Sequence, residues 1–527
     1  MKKIVTVIIS VLLAAFMLAG CTDKVAPLAN VGGEVKSGNG SAVVEKGDYI
    51  YFINGKVSTS ADNTFNKPVK GALMRIKTAD LKDPSAATVE TVVPKLMISG
   101  NYKTGVYMYG DFVYYVTPSV QKDKAGTLQY SKSEVYRFDL KKGKNAGSPV
   151  VTLDVDTQEY RFVKVGEKVY FLTTVSEKEN DSSVNKLVCY DTESGKQIFK
   201  SKAYQSIAMA EDNSGKVYYT VFGYTEATEV TEKFHDIYSY TAGDTKAELY
   251  KCGAGTQGYA EDKRKDVTAE QKYPADYTTG SNGVTVEFIK YTGNLLVIKL
   301  TSLDENIKPE PAYLGIDFSS GATDLKNLGF AGKNNIDDAF VSSSYFESLN
   351  AVYYVKSDGT LNKYDYANGD DDDTHGRVIV ASECKSGDSA LTLYGVRNGD
   401  MYFYSSDGYY FRCNFKASEV SVNKINAYAM QTPSDWYGVS VTGNYLIGSC
   451  TNDTYLGGYL YAVDMTGIFD AAEENKDKNA YAEKLEKIAE INRENILAVQ
   501  KTLVGKYTDS DKTSFRKKLD ENYPAEK

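Results

Sequence analysis

Short runs in which aliphatic and aromatic residues alternate recur along most of the chain, and each run follows a turn that contains Gly or Asn. The first run, 47–52, reads Gly-Asp-Tyr-Ile-Tyr-Phe. Apolar side chains with a period of two are typical of β-strands. The turns that open these runs lie at Gly47, Gly110, Gly166, Gly215, Gly293, Asn350, Gly399 and Gly443. Their mean spacing of about 57 residues indicates an all-β repeat protein.

A second strand completes each repeat, and it often ends in an acidic residue, as in the Leu-Val-Cys-Tyr-Asp sequence of 187–191. Further strand-like runs before and after these two make about four strands per repeat, the number in a β-propeller blade. We therefore predict an all-β β-propeller of about eight four-stranded blades over residues 41–467, or seven if one repeat is degenerate. Two β-sandwiches or a β-solenoid are the alternatives. The last repeat lacks a fourth strand, which residues 33–46 could supply to close the ring.

The first twenty residues have the pattern of a signal peptide. Lys2 and Lys3 precede an apolar stretch that is too short to span a bilayer as a helix, and the segment ends Leu-Ala-Gly before Cys21. This ending resembles the lipobox of bacterial lipoproteins, which implies removal of 1–20 and acylation of Cys21. An ordinary secretory signal or an uncleaved anchor helix is the alternative. We expect an extracytoplasmic protein held at the cell membrane by lipid on Cys21.

The segments on either side of the repeats differ from them in composition. Residues 21–40 are rich in Gly, Ser, Asn and Ala, which predicts a flexible tether. Residues 468–527 lack the strand pattern and are rich in charged residues. Apolar residues at spacings of three and four between Tyr481 and Leu503 predict a C-terminal α-helical extension. This helix either packs on the repeats or binds a partner.

Charge and cysteine content narrow the choice of partners. The formal net charge of −9 becomes −11 when Lys2 and Lys3 are removed, which argues against nucleic acid as a partner and gives no net attraction to anionic lipid. Five of the six cysteines follow Cys21 at wide, irregular spacings. Buried free thiols are the favoured interpretation, although one disulfide remains open.

Candidate chemistry is sparse. No catalytic motif is present, only two histidines occur, and we predict no catalytic residue and no cofactor. Asp371 and Asp373 occupy positions 1 and 3 of a loop that resembles a calcium site, but His375 and Ser382 stand where positions 5 and 12 need oxygen-rich ligands. A solvated acidic loop is therefore favoured over a metal site. Trp436, the single tryptophan, is a candidate ligand-binding residue near a channel mouth.

The recurring Gly-Asp-x-[Val/Ile]-Tyr-[Phe/Tyr] strand, followed by Leu-Tyr-x-Tyr-Asp, resembles a family of clostridial-type Gram-positive extracytoplasmic lipoproteins over roughly 41–467. Those proteins carry a propeller domain of unknown function that is similar to the propeller of low-density-lipoprotein receptors. Residues 187–199 are also similar to repeats of eight-bladed quinoprotein propellers, in which a tryptophan docks between blades where this chain has Phe199. The resemblance implies a fold and leaves the function open.

Two hypotheses follow. The first is a non-enzymatic binding or scaffolding module for envelope proteins or cell-wall glycans. The second is an extracellular enzyme that acts on carbohydrate or peptide at the channel mouth, which would need paired carboxylates. The lack of a catalytic motif favours the first.

Overall fold

A computed structural model of the chain gives an all-β architecture. It describes residues 24–55, 58–68, 71–82, 89–98, 105–153, 159–179, 182–210, 214–221, 237–251, 284–292, 294–302, 313–318, 326–327, 344–346, 351–356, 358–364, 377–381, 384–386, 388–397, 400–404, 410–414, 421–425, 436–442, 445–450 and 460–464. Within these ranges the regular structure consists of β-strands and one short 3-10 helix, Thr78–Lys82.

The strands of the first four repeats form antiparallel sheets. The first sheet contains β1 (Val35–Ser37), β2 (Val43–Lys46), β3 (Tyr49–Ile53), β4 (Leu73–Lys77) and β5 (Glu90–Val93). The second contains β6 (Tyr107–Tyr109), β7 (Phe112–Pro118), β8 (Ser133–Asp139), β9 (Lys144–Asn145) and β10 (Val151–Leu153). The third contains β11 (Tyr160–Val165), β12 (Lys168–Glu179), β13 (Ser182–Asp191) and β14 (Gln197–Lys200). It is joined through a single residue pair to the fourth, which contains β15 (Tyr204–Met209), β16 (Lys216–Val221), β17 (Ile237–Thr241) and β18 (Glu248–Lys251).

The later repeats follow the same plan. The fifth sheet contains β19 (Val284–Thr292), β20 (Leu295–Ser302), β21 (Tyr313–Asp317) and β22 (Lys326–Asn327). The sixth contains β23 (Ser344–Phe346), β24 (Ala351–Val355), β25 (Leu361–Tyr364) and β26 (Arg377–Ala381), and a small hairpin follows, β27 (Lys385–Ser386) and β28 (Ser389–Ala390). The seventh contains β29 (Thr392–Arg397), β30 (Asp400–Tyr404), β31 (Tyr410–Asn414) and β32 (Ser421–Ile425). The eighth contains β33 (Trp436–Thr442), β34 (Tyr445–Cys450) and β35 (Leu460–Asp464).

Within the described residues, the two central strands expected for each of the eight repeats are present and paired with each other. These strands agree with the sequence pattern because the pattern reflects backbone conformation at the turns and the apolar character of neighbouring side chains. Gly47, at the β2–β3 turn, has a φ of +58°, a conformation that residues with a Cβ rarely adopt. All five residues of β3 are buried, so both faces of this strand are covered.

Phe199 links the third and fourth sheets, which lie in the same compact unit. It stands at the end of its repeat on β14, and its ring stacks on that of Tyr240 on β17, with a centroid separation of 4.1 Å. Both side chains belong to one buried apolar cluster that includes residues of the third and fourth sheets. Phe199 thus packs between neighbouring repeats, the environment that the quinoprotein resemblance implies for a tryptophan.

Residues 24–40, part of the expected tether 21–40, form hydrogen bonds to the first two sheets. Val25 donates its amide to the carbonyl of Gly143 at 2.7 Å, and β1 pairs with β2. The buried Lys46 ammonium donates to the carbonyls of Val31 and Gly33, at 2.6 and 2.9 Å. The segment is held through its backbone hydrogen bonds and through burial of Val31, which is 4% exposed.

The proposed ring closure by residues 33–46 is not observed. Both β1 and β2 belong to the first sheet, where β2 pairs with β3. Among the described residues, no strand of the first sheet pairs with β33, β34 or β35, and the eighth sheet has three strands.

Several predictions concern residues outside the described ranges. The signal peptide, Cys21 and the C-terminal extension 468–527 all lie there. Within the described part of the chain, no helix is long and apolar enough to cross a membrane. Cys189 and Cys384 are buried free thiols, in agreement with the interpretation of the cysteines.

Candidate binding surface of the N-terminal unit

The sequence-predicted site residues are not brought together by the described structure. Trp436 is the first residue of β33, and only its backbone is described. Asp371 and Asp373 lie outside the described residues, as does Cys21. Within the described ranges, no group of three His, Cys, Asp or Glu residues is arranged to hold a metal ion.

A different surface stands out in the compact unit that contains the first two sheets. Residues 119–132 connect β7 to β8 as a long turn, termed here the β7–β8 hairpin. Among described residues, the exposed large hydrophobic side chains all lie on it: Val120 at 39% exposure, Leu128 at 45% and Tyr130 at 44%. Exposed apolar residues that cluster on one loop are typical of interaction surfaces.

The β7–β8 hairpin is ordered by its own hydrogen bonds. The amide of Asp123 donates to the carbonyl of Thr127 at 2.9 Å, and the amide of Gln129 donates to the carbonyl of Gln121 at 2.9 Å. The Asp123 carboxylate accepts from the amides of Ala125 and Thr127, each at 2.9 Å, which closes the tip as an Asx turn. A preformed tip loses little conformational entropy on binding.

Buried polar groups fix the base of the hairpin. The Glu134 carboxylate, 1% exposed, accepts hydrogen bonds from the hydroxyls of Ser119 and Tyr136, at 2.8 and 3.0 Å. Hydrogen bonds from two hydroxyl groups offset much of the free energy lost when a carboxylate is removed from water. Glu134 therefore orients the point where the chain leaves β7 and enters β8.

A loop of the first sheet braces the same end of β7. Asn63 lies between β3 and β4, and its Nδ2 donates to the Thr117 hydroxyl at 2.8 Å and to the Pro118 carbonyl at 2.6 Å. Its backbone carbonyl accepts from the buried Lys95 ammonium at 2.7 Å. Both sheets of this unit therefore support the hairpin.

The opposite end of the same strands carries a basic turn. The β8–β9 turn (140–144) reads Leu-Lys-Lys-Gly-Lys, and its lysines are exposed. Lys141 pairs with Asp111 at 2.6 Å and Lys142 with Asp139 at 3.2 Å. Burial opposes ionisation of Asp139, but hydrogen bonds from Lys142, reinforced by its charge, outweigh it and lower the pKa of that carboxyl. Three lysines and two carboxylates meet here, so the turn keeps an excess of lysine.

The sequence patterns did not identify the β7–β8 hairpin or the β8–β9 turn as candidate functional surfaces. The Asp-Lys-Ala-Gly sequence of 123–126 is a turn signal, and the lysines of 140–144 are visible in the sequence. The exposure of Val120, Leu128 and Tyr130 is a tertiary property, because the same residue types fill the core elsewhere in the chain. No local signal separates the two cases.

No family model and no curated protein matches this chain. Among solved structures it is similar to the computationally designed Ika8 protein, at 10% identity and a TM-score of 0.40, covering 82% of this chain and 98% of that one. It is also similar to the Dos1 propeller, at 8% identity and a TM-score of 0.32, covering 82% and 95% of the two chains. The β-propeller domain of the trilobed protease from Pyrococcus furiosus gives 12% identity, a TM-score of 0.31, and coverage of 82% and 93%. Similarities this low indicate neither a function nor a blade number.

Proposed function

We propose that this protein is a lipid-anchored extracytoplasmic β-propeller of eight blades that acts as a binding module for an envelope protein. The β7–β8 hairpin is the surface that binds the partner. The single observation that carries the binding role is that the exposed large hydrophobic residues of the described chain all lie on this preformed hairpin.

The chemistry of the hairpin favours a protein partner over a glycan. Leu128 and Val120 present aliphatic surface, and Tyr130 adds an aromatic ring with a polar end. Lys122 and Lys124 are exposed beside them. An apolar centre with a charged rim is the usual composition of a protein interface, whereas glycan sites depend on aromatic platforms with several directed hydrogen bonds.

The anchor rests on the sequence around Cys21. Acylation there would join the membrane to the chain just before the described N-terminal segment. The repeat pattern supports the ring of eight blades, because eight sheets with paired central strands follow one another along the chain.

Partner binding is tested by photo-crosslinking from the hairpin in envelope preparations. A photoreactive residue at Tyr130 should yield a discrete crosslinked protein, and the V120S/L128S change should abolish that product without altering the fold. Glu193, an exposed turn residue of the third repeat, provides the control position and should not give the same product. Crosslinks of equal yield from both positions would contradict the proposal, as would retention by purified peptidoglycan that depends on Tyr130.

Lipid attachment is tested separately by metabolic labelling. Cells that express the full chain should incorporate labelled palmitate into it, and the C21S change should abolish the label and release the protein from the membrane fraction. Retention of the label by the C21S chain would contradict acylation at Cys21.

A further inference from the structure

The N-terminal segment, residues 24–34, is docked along the N-terminal unit over its whole length. At its start, Lys24 forms a β-bridge with Lys144, and the Val25 amide bonds to Gly143 at 2.7 Å. Further along, the Arg75 guanidinium donates to the carbonyl of Ala29 at 2.7 Å. The β8–β9 turn and the start of this segment are therefore fixed to each other.

Covalent geometry then limits the distance between the turn and residue 21. Three peptide steps separate Cys21 from Lys24, and consecutive Cα atoms lie about 3.8 Å apart. Bridge partners in antiparallel strands lie about 5 Å apart. The Cα of Lys144 can therefore be no more than about 17 Å from that of Cys21, whatever path the intervening residues take.

We infer that the β8–β9 turn is a membrane-contact surface that binds anionic phospholipid headgroups, with Lys142 and Lys144 as the main contacts. This inference rests on the proposed acylation of Cys21, since the lipid brings the turn to the bilayer. Lys144 is exposed at the bridge to Lys24, which is itself exposed. The Lys142 side chain is 69% exposed although it pairs with Asp139.

Charge distribution, rather than net charge, makes the contact favourable. The whole chain is acidic, at −9, so it has no net attraction to anionic lipid. Electrostatic attraction at a membrane is local, however, because salt screens charges beyond a Debye length of roughly 8–10 Å. Lysines held within reach of the surface contribute, offset in part by Asp111 and Asp139, which pair with Lys141 and Lys142.

The inference also fixes an orientation within the N-terminal unit. β7 and β8 are paired from Phe112 with Asp139 to Pro118 with Ser133. At about 3.3 Å per residue these strands separate their two ends by roughly 20 Å. The basic turn at one end would face the lipid, and the β7–β8 hairpin at the other would face away from it.

Flotation with vesicles tests the lipid preference without any acyl chain. The soluble chain 22–527 should bind phosphatidylglycerol-containing vesicles more than phosphatidylcholine vesicles, and the preference should fall with added salt. The K142Q/K144Q change should reduce binding to the anionic vesicles about tenfold. The charge-matched K196Q/K202Q change, at two exposed lysines of the third repeat, should leave binding within about twofold of the wild type.

Equal losses in the two double variants would overturn the inference, because they would show only a general effect of charge. Equal binding to both vesicle types would also overturn it. Inorganic phosphate at matched ionic strength should displace no more protein than chloride does. Stronger displacement by phosphate would assign the turn to free phosphate instead of lipid.

Hydrogen exchange on a tethered chain tests the geometry. A histidine tag in place of residues 1–21 attaches the chain to vesicles that carry nickel-chelating lipid, which replaces the acyl anchor. Amides of 140–144 should exchange more slowly on anionic than on neutral vesicles, whereas those of 122–128 should not change. Identical exchange of 140–144 on both vesicles would contradict the contact. If the vesicle assays fail while palmitate labels Cys21, the anchor holds and only the membrane contact of the β8–β9 turn is wrong. If palmitate labelling fails while the vesicle assays succeed, the anchor is wrong and the membrane contact of the turn holds.

Discussion

At the scale of the residue, two buried cations determine how the N-terminal segment is held. Arg75 is fully buried on β4, where it bonds to Glu90 at 2.8 Å and lies 4.0 Å from the ring centroid of Tyr49. Lys46 is buried on β2, and burial lowers the pKa of its ammonium, partly offset by the charge of Asp111. Each cation uses backbone carbonyls of residues 29–33 as acceptors, so the segment supplies hydrogen bonds that the sheet lacks.

Replacing the buried arginine should destabilise the N-terminal unit. We expect R75M to lower the free energy of unfolding by about 2–3 kcal/mol, because the Ala29 carbonyl and the Glu90 carboxylate lose their donor. Urea denaturation followed by circular dichroism measures the change. The control is K36Q, which removes an ion pair with Glu45 at 3.4 Å whose lysine side chain is 55% exposed and should cost less than about 1 kcal/mol. Equal effects of the two changes would show that burial of Arg75 is unimportant.

The thiol of Cys384 should resist alkylation in the folded protein. Burial raises its pKa from 9.0 to about 12, so the reactive thiolate is scarce at pH 8–9 and access is blocked. Mass spectrometry after iodoacetamide treatment should find Cys384 unmodified until denaturant is added. Rapid labelling of the native chain at pH 8 would contradict its burial.

The same pKa shift predicts a pH dependence of stability. The folded pKa lies above the unfolded value of 9.0, so the unfolded chain releases the proton first. The contribution of Cys384 to stability is full below pH 9 and is lost as the pH rises from 9 towards about 12. The C384A change should flatten this part of the stability profile in urea titrations at a series of pH values, whereas an unchanged slope would assign it to other groups.

At the scale of the element, each repeat is a sheet whose packing onto the next depends on a few aromatic contacts. Phe199 on Tyr240 is one such contact. A second lies between the fourth and fifth sheets, where Tyr218 stacks on Tyr291 and Phe318 at 5.8 and 5.7 Å. These rings fill the space between sheets in a chain that has a single tryptophan.

Truncation of Phe199 should separate the effects of ring size and ring loss. F199A removes a side chain that is 8% exposed and should lower the free energy of unfolding by about 3–4 kcal/mol. F199W should cost less, about 1–3 kcal/mol at most, since it keeps an aromatic ring at the site. Thermal and urea denaturation of the two variants measures the difference. A larger loss for tryptophan than for alanine would show that this position tolerates no larger ring.

At the scale of the whole molecule, the docked N-terminal segment changes how an anchored protein would stand at a membrane. A flexible leader would let the body move freely, whereas a segment bonded at Val25, Ala29 and Val31 holds the N-terminal unit close to residue 21. Under the proposed anchor and partner surface, one end of β7 and β8 would face lipid and the opposite end would face a partner.

Deletion of residues 22–34 tests whether the segment is structural. A chain that begins at residue 35 should be less stable by about 3 kcal/mol or more than one that begins at 22, because Lys46 and Arg75 lose their buried acceptors. Urea denaturation provides the measurement. Combining the deletion with R75M should give less than the sum of the two losses, since both remove the contact between Arg75 and Ala29. If the deletion leaves the free energy of unfolding unchanged, the interpretation of this segment as a flexible tether would be favoured instead.

Much of the fold could be predicted because its signals are local. The turn at Gly47 and the alternating residues of β3 specify a strand wherever they occur, and the same logic located the paired strands of all eight repeats. The candidate surface could not be predicted in this way. Trp436 stood out by residue type alone, whereas Val120, Leu128 and Tyr130 stood out only when their exposure was known.

The sequence by itself determined the all-β class, the positions of the turns and the pairing of neighbouring strands, since backbone conformation and side-chain period act over a few residues. Only the tertiary structure decided that Arg75 and Lys46 are buried, that residues 24–34 are docked, and that the β7–β8 hairpin is exposed. These features depend on hydrogen bonds and packing between residues far apart in the chain. Their free energies are set by burial, which no short stretch of sequence encodes.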